Sequence, residues 1–319
     1  APSNGVPALK DAIAAKLRGD GLEYAADDVI VTPGAKQALF ETFQALVDPG
    51  DEVVLLDPAW VSYAPMAELA GGELTRVDLA PHGFQLEPAL SDVAEAVSDD
   101  TALLVVNSPN NPTGAVMDAS GLAEVAAFAR EHDVFVLADE VYAALTYDTE
   151  HASIANQPGM RERTLVFNGF SKAYAMTGLR LGYAMGPPDI IDGMNRIHQY
   201  TMLSAPTTAQ AAAIEALESC DDDVREMREQ YDRRRRFVRS RFHEMGLDCF
   251  EAKGAFYVFP AVPGDDEAFA ENLLREAEVA VVPGSVFGDG GEFVAFTETL
   301  TTPFVTALPG GGRTRFQPI

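Results

Sequence analysis

Cysteine, lysine and long hydrophobic runs are scarce in this 319-residue chain. Its two cysteines, Cys220 and Cys249, are too few to suggest a disulfide framework. No segment approaches the ~20 uninterrupted apolar residues of a membrane span. The chain also does not open on a charged and then apolar leader. We therefore expect a cytoplasmic protein without a membrane partner.

Acidic charge dominates what is present. Asp and Glu number 49 against 23 Lys and Arg, which gives a formal net charge of −26. Such a surface repels nucleic-acid backbones, so we expect no nucleic-acid partner. The acidic residues are spread through periodic segments and do not form one disordered tail. An acidic excess with scarce lysine is typical of proteins that work at high salt, where screening is short-ranged, and we hypothesise a halophilic source.

Hydrophobic periodicity predicts an α/β fold with a large domain, 1–225, and a small domain, 226–319. Strand-like and helical segments alternate through the large domain, as they do in parallel βαβ units. Its predicted strands are 28–32, 52–56, 74–78, 102–107, 134–138, 164–167 and 181–185, and its predicted helices are 6–18, 35–47, 61–70, 119–131 and 187–200. A long polar helix links the domains, and a strand–helix–strand pattern follows it, at 223–245, 249–259, 266–277 and 279–282.

Lys172 is the strongest candidate for a chemical role. It lies on a Gly/Ser/Thr-rich turn between two predicted strands, where a lysine can act as a Schiff-base nucleophile if desolvation and nearby cations activate its amine. Ser171 and Arg180 flank it and can bind one anion between them, since the guanidinium offers a rigid fork of donors. A Ser-Lys pair alone is more often a solvated surface pair. Together, the amine, the anion site and the glycine-shaped turn point to pyridoxal phosphate (PLP).

Five motifs resemble, in order and spacing, those of the fold-type I aminotransferases of classes I and II. The similarity runs from about Ser3 to about Phe287. It implies the PLP-dependent transferase fold, a mostly parallel seven-stranded sheet flanked by helices with a smaller α+β C-terminal domain. The motifs are Pro33-Gly34-Ala35-Lys36, Asp57-Pro58-Ala59-Trp60, Asn107-Ser108-Pro109-Asn110-Asn111-Pro112-Thr113-Gly114, Ala138-Asp139-Glu140-Val141-Tyr142, and Ser171-Lys172 through Arg180.

The first motif follows a predicted strand and opens a predicted helix. Free N–H groups and the helix dipole make such a position an anion site, although a plain strand-to-helix turn is the competing interpretation. The resemblance implies that Gly34, Ala35 and Lys36 hold the cofactor phosphate through their backbone, with Ser171 and Arg180 opposite.

The resemblance also assigns the ring of the cofactor. Asp139 ends a predicted strand and keeps the pyridine nitrogen protonated, which makes the ring an electron sink. Asn111 and Tyr142 hydrogen-bond the phenolic oxygen and favour its deprotonated form. Trp60 stacks on the ring, with a buried core tryptophan as the alternative, and Tyr63 supports it. Lys172, Asp139 and Tyr142 are thus the expected catalytic residues, and no metal site is expected.

The implied reaction is transamination between an amino acid and a 2-oxo acid. The segment from Pro81 to Leu86 resembles the prokaryotic aspartate aminotransferases, which favours aspartate and 2-oxoglutarate. Two alternatives remain: another PLP reaction such as β-elimination, since fold does not fix reaction, or a chain that binds PLP with little activity. A PLP-binding transcription regulator is disfavoured because no DNA-binding domain is evident.

The two ends of the chain depart from the family pattern. The resemblance implies a homodimer in which an N-terminal arm and a tyrosine before Ser3 complete the partner's site, and neither is present in this sequence. The family's last strand carries an arginine for the substrate α-carboxylate, whereas no arginine lies between Arg275 and Arg313. Pro303 and the glycines from Gly310 exclude a regular closing helix. We expect a truncated start and an altered end, with low transamination from residues 1–319 alone.

The charge predicts a dependence on salt. We expect the free energy of unfolding to rise steadily with KCl concentration, because added ions screen the repulsion among the excess carboxylates. Chemical unfolding followed by circular dichroism across a series of KCl concentrations measures this. Full stability in dilute buffer would refute the halophilic hypothesis.

Overall fold

The computed structural model describes residues 1–288 and 291–297, and every structural statement below concerns these residues. The helices are α1 Pro7–Gly19, α2 Ala35–Leu46, α3 Tyr63–Ala70, α4 Leu90–Ala96, α5 Ala119–Glu131, α6 Pro188–Thr201, α7 Thr207–Ser219, α8 Asp221–Glu244 and α9 Asp266–Ala277. The strands are β1 Val29–Thr32, β2 Glu52–Asp57, β3 Glu73–Asp78, β4 Thr101–Asn107, β5 Phe135–Asp139, β6 Thr164–Gly169, β7 Gly182–Met185, β8 Tyr257–Val258, β9 Val282–Pro283 and β10 Val294–Thr297. Within these residues, no helix combines the length and apolar character needed to cross a bilayer.

Seven strands form one sheet in the order β1-β7-β6-β5-β4-β2-β3. The pairs among β2 to β6 are parallel, whereas β7 runs antiparallel to both β1 and β6. Six strands therefore end at one edge of the sheet, and β7 begins there. The predicted α/β fold with a mostly parallel seven-stranded sheet is confirmed.

Two hydrophobic cores lie on the two faces of this sheet. Successive residues of a strand point to opposite faces, so Val54 and Leu104 join one core while Val53 and Leu103 join the other. The first core is covered chiefly by α1, α5 and α7, and the second by α2, α3 and α6. Burial on both faces explains why these strands appear in the sequence as continuous apolar runs.

The smaller unit has its own sheet and core. Strand β10 lies between β8 and β9 and is antiparallel to both. Side chains from α8, α9 and these strands form a separate cluster that includes Phe242, Leu273 and Val294. The predicted boundary between residues 225 and 226 falls inside α8 and remains a prediction. The expected absence of a closing helix near Pro303 lies outside the described residues.

Several predicted elements were wrong in detail. The predicted strand 249–259 is reduced to β8, because Ala255 has a positive φ of 58° and Gly254 packs against Pro109, so the chain turns between them. Helices α4 and α7 were not predicted, since one is short and the other is rich in alanine and lacks a marked apolar stripe. The long polar helix predicted at 223–245 also buries a charge: Arg235 is buried, with its guanidinium bonded to Asp148, Asp232 and the carbonyl of Ala252.

Candidate active site

Residues from distant parts of the sequence meet at the edge where the strands end. Strand β4 ends at Asn107, β5 at Asp139 and β6 at Gly169, just before Lys172. Open α/β sheets bind their ligands outside the carboxyl ends of their strands. Because β7 is antiparallel, its first residue lies at this same edge, and the preceding Arg180 is delivered there as well.

The turn before α2 is built on close glycine contacts. Gly34 has a positive φ of 86°, and a Cβ atom there would lie 2.6 Å from Nη2 of Arg180. A Cβ on Gly182 would lie 2.2 Å from the backbone nitrogen of Ala35. The two glycines thus let Arg180 and the start of α2 approach each other. No side chain caps α2, so its first N–H groups and the guanidinium form a cationic end of the site.

Asp139 forms the acidic end of the site. Its side chain is buried; Oδ2 accepts a 2.6 Å hydrogen bond from the Tyr63 hydroxyl, and Oδ1 accepts a 3.2 Å bond from the N–H of Val141. Burial raises the pKa of Asp139 to about 6, and the Tyr63 hydrogen bond opposes that rise. A carboxylate held in this way is unfavourable unless a cation joins it.

The amine of Lys172 lies among aromatic rings. Its Nζ is 5.4 Å from the ring centre of Tyr142 and 5.1 Å from that of Phe256. Desolvation lowers the pKa of Lys172; Asp139 opposes this effect and Arg180 adds to it. The amine is therefore shifted toward the neutral, nucleophilic form that Schiff-base chemistry needs.

Hydrogen bonds hold the remaining polar groups. The Asn107 amide donates to the carbonyl of Asp139 at 2.9 Å and accepts from the N–H of Asn111 at 2.9 Å. It therefore ties the end of β5 to the segment that follows β4. The hydroxyl of Tyr142 lies 2.6 Å from that of Tyr257 on β8. These bonds hold the backbone of Asn111 and the hydroxyl of Tyr142 in place on the cavity wall.

Trp60 is half-buried and meets Tyr63 edge-on, with ring centres 5.3 Å apart. The Nζ of Lys36 lies 4.8 Å from the Trp60 ring centre. Tyr63 therefore contacts Trp60 as expected from the sequence, and it also bonds Asp139 directly, which the sequence did not reveal.

The structure brings the predicted site residues to one cavity. Its wall includes every one of them except Gly34, which lies immediately behind Arg180. Sequence analysis missed the other lining residues, namely Leu39, Asn107, Val141, Thr177 and Tyr257, and the place of Tyr63 on the wall. Asn107, Val141 and Thr177 lie within the quoted motifs and could have been found by their position, whereas Tyr257 comes from the other sheet and carries no local signal.

The residues present fit PLP. The molecule combines an anionic phosphate, a basic ring nitrogen and an aldehyde. Arg180 and the uncapped start of α2 suit the phosphate, and the buried carboxylate of Asp139 suits a protonated ring nitrogen. Lys172 lies on the wall of the same cavity, with its amine near Asp139 and Arg180.

Comparison with known proteins agrees with this assignment. Residues 1–295 match the family of class I and II aminotransferases. The aspartate aminotransferase of Pyrococcus abyssi is 44% identical over 301 residues, which cover 91% of this chain and 77% of that relative. The aspartate/prephenate aminotransferase of Thermus thermophilus is 44% identical over 302 residues, or 91% of this chain and 76% of that one. The solved aromatic aminotransferase of Pyrococcus horikoshii superposes with a TM-score of 0.91 at 42% identity, covering 94% of this chain and 83% of that chain.

Fold, site and relatives together define a PLP-dependent aminotransferase. The chain belongs to the class I and II aminotransferase family.

Asp139 makes the stability of the cofactor-free protein depend on pH. Its folded pKa, about 6, exceeds its ordinary value of 3.8, so the fold favours the protonated form, and stability is lost as the pH rises through that interval. Asp139→Asn removes the ionisation. We expect the free energy of unfolding of the variant, relative to wild type, to increase by about 1 to 1.5 kcal/mol between about pH 5 and pH 7.5.

Denaturant unfolding at a fixed KCl concentration measures the difference. Tyr63→Phe is the companion variant: it removes the hydrogen bond that favours the carboxylate, so its own stability should fall more steeply with pH than that of wild type. A difference between Asp139→Asn and wild type that is the same at both pH values would show that Asp139 does not carry this penalty.

Proposed function

We propose that this protein catalyses PLP-dependent transamination between an amino acid and a 2-oxo acid, with aspartate and 2-oxoglutarate as the preferred pair. The observation that carries the proposal is the placement of Lys172 on one cavity wall with a buried carboxylate at one end and a cationic turn at the other. We propose that the site residues predicted from the sequence bind the cofactor and carry out the proton transfer.

PLP, when bound, supplies an aldehyde that joins an amine and a ring that withdraws electrons from the amino acid's Cα–H bond. Asp139 keeps a proton on the ring nitrogen, because its buried carboxylate is stabilised by the cation that this proton creates. Tyr63 holds the carboxylate in place through Oδ2. Trp60 would stack on the ring. The Tyr142 hydroxyl and the Asn111 amide would donate hydrogen bonds to its phenolic oxygen.

Lys172 serves two purposes. Its amine would hold the cofactor through the aldehyde, and when free it would be the group that accepts the proton from the substrate Cα. Its lowered pKa, caused first by desolvation, suits this work because a neutral amine can accept that proton. Arg180, Ser171 and the start of α2 hold the phosphate during both steps.

The preference for a dicarboxylic substrate rests on Lys36. Its ammonium lies beside Trp60 on the cavity wall, in addition to the amine of Lys172 and the guanidinium of Arg180. With Arg180 assigned to the phosphate, Lys36 is a further cation available to a second carboxylate. The relatives named as aspartate and aspartate/prephenate aminotransferases are in keeping with this preference.

We also propose that the protein is a cytoplasmic homodimer in which the partner completes each site. Exposed apolar side chains cluster where α6 ends: Tyr200 is 91% exposed, and Met202 and Leu203 follow it. A second copy of the chain would cover such a patch. Sedimentation equilibrium of the purified protein distinguishes a dimer from a monomer.

Covalent labelling tests the central assignment. Protein loaded with PLP should absorb in the visible, and borohydride should then fix the cofactor to the peptide that contains Lys172. Lys172→Ala should lose both the band and the label, while Lys36→Ala should keep them. Label recovered on Lys36, or a band that survives in Lys172→Ala, would exclude the assignment.

The substrate proposal is tested with Lys36→Met, which keeps most of the length of the side chain and removes its charge. We expect KM for aspartate to rise about tenfold or more, the usual scale for losing a charge-assisted hydrogen bond. KM for alanine should change much less. Lys16→Met is the matched control, because Lys16 lies on α1, outside the cavity, and pairs with Asp20. An equal rise in KM for aspartate and alanine would show that Lys36 does not bind the second carboxylate of aspartate.

A further inference from the structure

A tyrosine of the small sheet reaches the active-site cavity. Tyr257 begins β8, lines the cavity, and its hydroxyl lies 2.6 Å from that of Tyr142. The two residues are 115 positions apart in the sequence. Within the described part of the chain, Tyr142 is the one hydrogen-bonding partner of the Tyr257 hydroxyl.

Both hydroxyls keep their hydrogens at neutral pH. Burial raises the pKa of Tyr142 well above its ordinary range, and burial is also the largest cause of the raised pKa of Tyr257. The charged groups facing the pair are Asp139, whose charge raises both values, and Lys172, whose ammonium lies over the Tyr142 ring. The two hydroxyl groups therefore carry two hydrogens. Only one of these hydrogens can lie between the two oxygens, so the other must point elsewhere.

We propose that Tyr257 is a positioning residue: it donates its hydrogen to Tyr142 Oη and so directs the Tyr142 hydrogen toward the phenolic oxygen of the cofactor. This inference rests on the proposed function and extends it to a residue of the other sheet. Without Tyr257, the Tyr142 hydroxyl could rotate freely. When the Tyr142 oxygen accepts a hydrogen bond from Tyr257, its own hydroxyl becomes a stronger donor to the phenolic oxygen.

The backbone around Tyr257 is held firmly enough for this role. The N–H of Ala255 donates to the carbonyl of Leu145 at 2.9 Å, and the Tyr147 hydroxyl donates to the carbonyl of Ala255 at 2.6 Å. The ring of Phe256 meets Tyr142 edge-on at 5.3 Å. Segment 255–257 is thus tied to the same turn that carries Tyr142, and the Tyr257 hydroxyl has little freedom to leave its partner.

The arrangement has a spectroscopic consequence. In the PLP-loaded protein, the nitrogen of Lys172 would carry a proton that the cofactor's phenolic oxygen would stabilise. A hydrogen bond donated to that oxygen weakens its hold on the proton and lowers the pH at which the proton leaves. Loss of the Tyr257 hydroxyl weakens that hydrogen bond, so the proton should be retained to higher pH.

The test is a spectrophotometric pH titration of PLP-loaded protein. We expect Tyr257→Phe to raise the midpoint of the absorbance change by about half a pH unit. Tyr142→Phe should raise it further, and Tyr142→Phe/Tyr257→Phe should match Tyr142→Phe alone, because Tyr257 acts only through Tyr142. An unmoved midpoint in Tyr257→Phe, or a further shift in the double variant, would overturn the inference.

Tyr147→Phe is the matched control. It removes a hydrogen bond of the same length, 2.6 Å, from the same segment, but its hydroxyl points to the backbone of Ala255 and does not line the cavity. Its midpoint should move much less than that of Tyr257→Phe, because the N–H of Ala255 still bonds the carbonyl of Leu145 and holds the segment. A shift as large as that of Tyr257→Phe would reduce Tyr257 to a merely structural role. If wild type loaded with PLP shows no visible band, the proposed function fails; a wild-type band with an unmoved Tyr257→Phe midpoint defeats this inference alone.

Discussion

The buried carboxylate of Asp139 is the constraint on which the rest of the site depends. A carboxylate at the end of a central strand has little water around it, and burial raises its pKa to about 6. Hydrogen bonds from Tyr63 and the N–H of Val141, together with the charge of Lys172, offset only part of this penalty. The remaining penalty is the means by which the site binds a protonated ring nitrogen, because that cation relieves it.

The single antiparallel strand of the large sheet is equally necessary. A seventh parallel strand would send its first residue to the opposite edge, and Arg180 would lie far from the start of α2. Reversal of β7 instead delivers Arg180 to Gly34, and the close packing of Gly182 against Ala35 leaves no room for a larger residue at either glycine. Chain topology and two glycines together build the anion end.

How far the sequence predicts this structure depends on the range of the interaction. The positions of Lys172, Asp139 and Tyr142 follow from motifs that surround each residue locally, and the parallel sheet follows from alternating periods. The contact of Tyr257 with Tyr142 and the burial of Arg235 depend on how the small unit lies against the large one, and no local pattern encodes that. The same holds for β8, where the positive φ of Ala255 ends an apolar run that appears in the sequence as one long strand.

Segment 255–257 of the small unit contacts the site directly. Arg235 on α8 bonds the carbonyl of Ala252 and the carboxylate of Asp148, and its guanidinium lies 5.1 Å from the ring centre of Tyr147. The Tyr147 hydroxyl in turn bonds the carbonyl of Ala255. A buried arginine of a highly charged helix thus fixes the backbone that presents Phe256 to Lys172 and Tyr257 to Tyr142. Burying the Arg235 charge is favourable only because its donors meet a carbonyl and two carboxylates. The same hydrogen bonds help to fix the position of the small sheet relative to the active-site cavity.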